Sequence, residues 1–217
     1  MRTAAVFGTT GLIGDHLCQL LTQNAEYGKV YAYARKNPET LLNKIEHVAF
    51  DPSQIKIPNG IDDVFVCLGS TMKKSGSKEA FRKVDYEMVV EIAKQAKASS
   101  VKHFIVISSI GADPSSNNFY LKTKGDMEEA VKQFDFEYCG ILRPSLLLGN
   151  RKEFRFAEKT GIILFKLFSF IFVGPIRKYR GIKAEDVAKG MIMLAKSGIG
   201  KVTIESNIIK RIADEYE

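Results

Sequence analysis

Short apolar runs alternate along this chain with longer stretches in which apolar residues recur every three or four positions. The runs at 3–7, 30–34, 48–50, 64–68, 103–108 and 138–142 predict strands. At 103–108 the sequence His-Phe-Ile-Val-Ile-Ser is apolar without alternation, the pattern of a strand covered on both faces. Between the runs, Phe81, Val84, Met88, Ile92 and Ala96 give a helix over 78–98 one apolar face. Further helices are expected at about 118–134 and 184–196. Strands that alternate with crossover helices predict an α/β fold, a Rossmann-type doubly wound parallel sheet, because parallel neighbours cannot be joined by a hairpin. Right-handed crossovers then gather the carboxyl ends of the strands, and the loops leaving them, along one edge. No Pro/Gly/Ser-rich linker and no repeat interrupts the chain, so one domain over 1–217 is expected. Its core would span about 1–150, and the less regular part, about 151–217, would form a small C-terminal cap on the substrate side.

Composition narrows the class. With 45% hydrophobic and 26% charged residues, the 217-residue chain reads as an ordinary globular protein able to bury a sizeable core. Cys18, Cys67 and Cys139 are far apart, and the chain enters a strand almost at once, so a reduced, cytoplasmic compartment is the expectation. His16, His47 and His103 are equally scattered, and no metal site is expected. The net charge of +7 fits nucleic acid, an anionic membrane surface or an anionic cofactor. The basic residues form only small clusters, without helix-turn-helix spacing, zinc finger or aromatic–basic RNA motif. A phosphate-rich small molecule accounts for them better than nucleic acid does.

Its binding site would begin at Gly8-Thr9-Thr10-Gly11-Leu12-Ile13-Gly14, directly after the first strand. A strand that passes through such a loop into a helix leaves first-turn N–H groups free for a phosphate. Glycine lets a pyrophosphate approach without meeting a Cβ. The second strand ends in Arg35-Lys36, where an acidic residue would select NAD. Two cations there suit a 2′-phosphate, hence NADP(H), with about 1.5–3 kcal/mol for a charge-assisted bond. Asp51 could bond the adenine amine or simply initiate the turn before Pro52. Val66-Cys67-Leu68-Gly69-Ser70-Thr71 has small residues that admit the central riboses, with Cys67 a packing residue rather than a nucleophile. Ser108-Ser109 closes the fifth strand, and Tyr120 and Lys124 come next on one face of a helix. A cation beside a phenol favours the phenolate. The phenol can then exchange a proton with a carbonyl or alcohol oxygen, while a serine hydroxyl holds that oxygen.

These residues together resemble the short-chain dehydrogenase/reductase superfamily, in particular its atypical NAD(P)-binding, NmrA-like members and their Tat-interacting-protein-like oxidoreductase branch. The motifs are Gly8 to Gly14, Arg35-Lys36, Cys67 to Thr71, Lys102-His103-Phe104, Ser108-Ser109 with Gly111-Ala112-Asp113, Tyr120-Leu121 with Lys124-Gly125, and Arg143-Pro144 with Leu146-Leu147-Leu148. The resemblance implies that Thr10, Gly11, Leu12 and Ile13 bind pyrophosphate, Arg35 and Lys36 the 2′-phosphate, and Leu68 and Gly69 the ribose side. Tyr120 would be the proton donor and acceptor, Lys124 its partner, and Ser109, rather than Ser108, the substrate's hydroxyl. Pro144, Ser145 and Leu147 would lie near the nicotinamide, and Arg155 would reach the cofactor. The pattern departs at Val84-Asp85-Tyr86, where many extended relatives carry an active-site Asn, so no relay through that position is expected.

The reading implied is an NADP(H)-dependent oxidoreductase of a small carbonyl or alcohol substrate, monomeric or homodimeric. The alternatives are a non-catalytic NADPH-sensing or interaction module and a sugar-nucleotide epimerase, for which the chain is short. Residues 161–174 are strongly apolar and flanked by cations. They are too short to span a bilayer, which needs about 20 apolar residues. A helix over the substrate pocket or in a dimer interface is expected there, ahead of peripheral membrane contact. The apolar C-terminal third suggests an apolar pocket.

Overall fold

The computed structural model of the protein describes residues 1–35, 43–148, 179–196, 198 and 200–216. In chain order the elements are β1 (Arg2–Phe7), α1 (Leu12–Gln23), β2 (Tyr27–Ala34), β3 (Ile45–Ala49), β4 (Asp63–Val66) and the short α2 (Met72–Ser75). Next is a long helix made of α3 (Lys78–Arg82), a π-helical turn (Lys83–Glu87) and α4 (Met88–Ala98). Then come β5 (His103–Ile107), α5 (Phe119–Lys132), β6 (Tyr138–Arg143), β7 (Leu147–Leu148), β8 (Ile182–Lys183), α6 (Ala184–Lys196), β9 (Gly200–Glu205) and α7 (Ser206–Ala213).

Seven strands form one sheet in the order β3-β2-β1-β4-β5-β6-β9, every pair parallel. This is the Rossmann-type doubly wound fold the pattern predicts. The chain winds outward from β1 to β3, then returns to the centre and winds outward again from β4. The loops leaving β1 and β4 therefore diverge at a topological switch point, where ligands bind in open α/β sheets. Alternation along each strand feeds two cores. Ala4, Val6, Phe65 and Ile105 pack with Leu17 and Leu21 of α1 and Val187 and Met191 of α6. Ala5, Phe7, Val64, Val66, Phe104 and Val106 pack with Val89, Ile92 and Ala96 of α4 and Met127 and Val131 of α5. Full burial of each large apolar side chain contributes about 1.5–3 kcal/mol, which holds the sheet between its two helical layers.

Three expectations change. The third strand begins at Ile45 rather than 48. The boundary near 150 does not separate core from cap, because α6 packs on the central sheet and β9 pairs with β6 as its seventh strand. The edge strand β9, Gly-Lys-Val-Thr-Ile-Glu, escapes a search for apolar runs because only Ile204 is fully buried. The first part of the expected cap, 151–178, including 161–174, lies outside the described residues. Finally, Val84 and Met88 are only half-buried, while Asp85 and Val89 take the buried positions. A π-turn adds a residue to one helical turn and rotates the residues beyond it, and that shifts the stripe.

At the amino-terminal edge of the sheet a fully buried Asp63 collects three partners. Arg2 Nε donates to Oδ2 at 2.7 Å, Tyr27 Oη donates to Oδ2 at 2.8 Å, and His103 Nδ1 lies 2.8 Å from Oδ1. Arg2 Nη2 also donates to the Ala195 carbonyl at 2.9 Å, tying the end of α6 to β1 and β4. Among the described residues no helix is long and apolar enough to cross a membrane.

Candidate functional site

The opposite edge holds the site. Gly8 has φ +86°, and a Cβ on it would lie 2.8 Å from the carbonyl carbon and oxygen of Cys67. The loop after β1 is thus folded directly against the loop after β4. A Cβ on Gly14 would lie 2.2 Å from the Gly8 oxygen, and one on Gly11 3.2 Å from it. Gly11 N–H donates to that same oxygen at 3.0 Å and closes the turn. The result is a concave backbone that side chains would fill. Gly11 caps α1 without a side chain, whereas Thr71, Ser77 and Asn118 cap α2, α3 and α5 through their oxygens. The N-terminal N–H groups of α1 and its dipole are left to an anion. Thr10 stands exposed at the tip, with Leu12 half-buried and Ile13 anchored in the core.

Arg35 is exposed at the carboxyl end of β2, the strand beside β1. Lys36 and Arg155 lie outside the described residues. Asp51 realises the turn alternative: its Oδ1 accepts from Ser53 Oγ at 2.7 Å and Ser53 N–H at 2.8 Å. Those two bonds hold its carboxyl below the usual range. Cys67 Sγ sits 3.7 Å from Met191 Sδ, and enclosure of the thiol pushes its pKa far up, as suits a packing residue.

The site's charged centre lies beneath Gly69. Lys124, with its side chain only 4% exposed, brings Nζ 2.7 Å from Oδ1 of the fully buried Asp85. The contact is an ion pair, and among the described residues Asp85 Oδ1 has no aligned hydrogen-bond partner. The other carboxylate oxygen accepts from Ser70 N–H at 2.8 Å. A Cβ on Gly69 would meet Asp85 Oδ1 at 3.6 Å and Lys124 Nζ at 3.9 Å. So the loop after β4, the π-turn and α5 converge on one buried pair. Tyr120, one turn before Lys124 and half-buried, rests against the Phe81 ring with centroids 5.4 Å apart.

The two serines after β5 divide their work. Ser108 Oγ donates to the buried Glu128 at 2.5 Å, and Arg143 grips the same carboxylate through Nε at 2.9 Å and Nη2 at 2.6 Å. That bond to Glu128 raises the Arg143 pKa above its ordinary value. Among the described residues Ser109 Oγ has only a long 3.4 Å contact with the Ile110 carbonyl, which leaves it the available hydroxyl. Ile110 N–H donates to the carbonyl of buried Pro144 at 3.1 Å, so the loops after β5 and β6 lie side by side. Ser145 turns away: its N–H donates to Ser206 Oγ at 2.6 Å and its hydroxyl donates to the Arg180 carbonyl. Leu147 is engaged in the β7–β8 pair. Gly125 lets α5 close on the preceding loop, since a Cβ there would lie 2.2 Å from Pro114 N.

A family model described as NAD(P)H-binding matches residues 8–164, from the glycine loop through the Lys124 helix. The chain belongs to this NAD(P)H-binding family. A relative from Meyerozyma guilliermondii, named "Protein FMP52, mitochondrial", is 33% identical over 99% of this chain and 96% of its own. Another of that name, from Lodderomyces elongisporus, is 29% identical over 94% and 91%. Among solved structures, the oxidoreductase YlbE of Lactococcus lactis matches 99% of this chain and 96% of its own, at TM-score 0.66 and 20% identity. A UDP-N-acetylglucosamine 4-epimerase from Methanobrevibacter ruminantium matches 97% and 80%, at TM-score 0.70 and 16% identity. At such identities the likeness is one of fold.

The relatives' names overturn the cytoplasmic expectation, since proteins called mitochondrial recur across several fungi. The spacing of the cysteines does not distinguish one compartment from another. Sequence reasoning also passes over Asp85 and Glu128 as site residues. For Asp85 the signal is present: it is an acid among the apolar residues of a buried helix face. Away from the glycine loop, a cavity of about 550 Å³ is bordered by Leu148, Ile182 and Ile208 together with Arg180, Lys183 and Lys210.

Proposed function

We propose that this chain is a mitochondrial NADP(H)-dependent oxidoreductase of the atypical short-chain dehydrogenase/reductase type, acting on a small carbonyl or alcohol. The observation that carries this reading is Lys124: a buried ammonium beneath Gly69, one helical turn after Tyr120, in a chain whose family binds NAD(P)H. The glycine cradle fits a pyrophosphate, and the unpartnered buried Thr9 hydroxyl behind it supports the same fit. Arg35 supports the phosphorylated cofactor over NAD. When bound, the cofactor would supply or accept hydride. Lys124 would grip its ribose hydroxyls. Tyr120 would then give a proton to a carbonyl oxygen in reduction, or take it from an alcohol in oxidation. Ser109 Oγ would hold that oxygen. Ser108, fixed by Glu128, would hold the end of β5 that presents Ser109.

The test is a panel of carbonyls and alcohols monitored by NADPH consumption or formation, after binding is shown. Tyr120→Phe should lower turnover roughly 10²–10⁴-fold, the usual share of a general acid–base group, with NADPH affinity within about twofold of the parent. Turnover unchanged in that variant removes Tyr120 from the reaction. NADPH binding with no turnover across the panel favours a cofactor-sensing module instead.

A further inference from the structure

We propose that Asp85 is a positioning residue for the cofactor site: it draws the Lys124 ammonium beneath Gly69, where the ammonium's remaining donors can meet the cofactor's ribose hydroxyls. The inference rests on the NAD(P)H-binding reading and adds a residue to it.

Asp85 has no reason to exist as a packing residue. It is fully buried on the helix face shared with Phe81, Val89 and Ile92, where an apolar side chain would pack at no electrostatic cost. An isolated carboxylate in such a place is strongly unfavourable, so it must be paired. The π-turn at Lys83–Glu87 is what rotates this acid inward, and such turns cluster at functional sites.

Its two oxygens have separate partners. Oδ2 accepts the Ser70 N–H at 2.8 Å and so locks the loop after β4 onto the helix. Oδ1 meets Lys124 Nζ at 2.7 Å yet makes no aligned hydrogen bond. The charge attraction fixes where Nζ sits, and because an ammonium carries three donors, a single carboxylate oxygen leaves others for a ligand. The opening through which they can be reached is Gly69, where a Cβ would come within 3.9 Å of Nζ. A neutral Asn at this position would keep the Ser70 bond but lose the hold on the ammonium. Two nearby charges are already engaged: Glu128, one turn on, belongs to Arg143, and Arg82 pairs with Asp126 at 3.5 Å. Asp85 is the carboxylate left to hold Lys124.

The experiment is a double-mutant cycle on cofactor affinity, which needs no substrate. The full-length protein, Asp85→Asn, Lys124→Met and the double variant are titrated with NADPH and with NADH by calorimetry, with a melting curve for each. Asp85→Asn should weaken the tighter cofactor about tenfold in the parent, a coupling near 1.4 kcal/mol. In the Lys124→Met background the same change should alter affinity less than about twofold, since there is no ammonium left to position. Equal losses in both backgrounds, or no loss in either, overturn the proposal and leave Asp85 a structural residue. Should Asp85→Asn not fold, Asp85→Glu and its Lys124→Met double run the same cycle. The added methylene displaces the carboxylate while keeping its charge, and the same non-additivity is required. If the parent binds neither cofactor, the NAD(P)H reading itself falls and Asp85 falls with it. Binding with additive effects refutes Asp85 alone.

Discussion

Gly14→Ala sets a helix-favouring change against a steric one, and the geometry decides the sign. Alanine is about 1 kcal/mol better than glycine inside a helix, so propensity alone predicts a more stable protein. The new Cβ, however, would lie 2.2 Å from the Gly8 oxygen, 2.9 Å from the Gly8 carbonyl carbon and 3.0 Å from the Thr9 Cα. Ordinary contact requires a retreat of more than about 1 Å. Neither side can give way cheaply. Gly8 is itself backed against the Cys67 carbonyl, and its oxygen holds the Gly11 N–H. At so close an approach the cost falls in the upper part of the usual overpacking range, about 2–3 kcal/mol, which exceeds the propensity gain. The net loss should lower the melting temperature by roughly 2–8 °C for a domain of this size. Because the loop that moves is the phosphate cradle, NADPH affinity should fall at least about tenfold. Gly11→Ala, with a 3.2 Å approach, should do far less. Gly60→Ala is the control: its φ of +84° strains an alanine, but nothing lies within 4 Å of the added carbon. It should cost stability without touching cofactor affinity. Calorimetric titration with NADPH beside thermal melts reads all three. A Gly14→Ala protein that melts at or above the parent temperature and binds NADPH unchanged would refute the argument.

Arg35→Ala should weaken NADPH far more than NADH, by about tenfold or more if one charge-assisted bond to the 2′-phosphate is lost; equal losses for the two cofactors in parallel titrations would contradict the 2′-phosphate assignment. At the other edge, Asp63→Ala strands Arg2 and removes the acceptor of Tyr27 and His103, and should cost roughly 3–5 kcal/mol in urea unfolding while leaving NADPH affinity unaltered. Burial pushes Cys18 up to about 12 and Cys139 up to about 11, and the Cys67 thiol higher still. A thiol reagent at pH 8 should therefore label none of the three within minutes in the native protein and all three after denaturation.

Each feature is legible in the sequence to the degree that its physical cause is local. Apolar runs announce strands buried on both faces, and the inner strands β1, β4, β5 and β6 are of that kind. The edge strand β9 is half-exposed and alternates too weakly to register, so a search for apolar runs leaves the sheet one strand short. The glycine loop is legible because backbone geometry at a switch point requires glycine, as the clashes at Gly8 and Gly14 demonstrate. Side chains that bind by charge are harder. Lys124 is legible through its spacing from Tyr120, but its partner Asp85 lies 39 positions away on another helix, and only folding brings them together. Asp51 shows the reverse. A short polar residue before proline fits two roles equally in sequence, and only the 2.7 Å bond to Ser53 reveals which oxygen is already taken.

The two edges of the sheet use buried charge differently, and the difference argues for where function lies. Asp63 is saturated: a guanidinium, a phenol and an imidazole all converge on it, and the cluster ties β1, β4, β5 and α6 together. A network so complete rigidifies and offers nothing to a ligand. At the carboxyl edge, α5 carries Lys124 and Glu128 one turn apart, opposite charges that could have paired with each other. Each pairs across elements instead. Glu128 is saturated by Arg143 and Ser108, which fixes α5 to β5 and β6. Lys124 has Asp85, held by proximity and not by an aligned hydrogen bond, under a glycine that leaves it reachable. Burying an ammonium in that incomplete state is costly unless its remaining donors meet a ligand. The saturated pair supplies the rigidity, and the unsaturated one marks the position at which cofactor chemistry is to be sought.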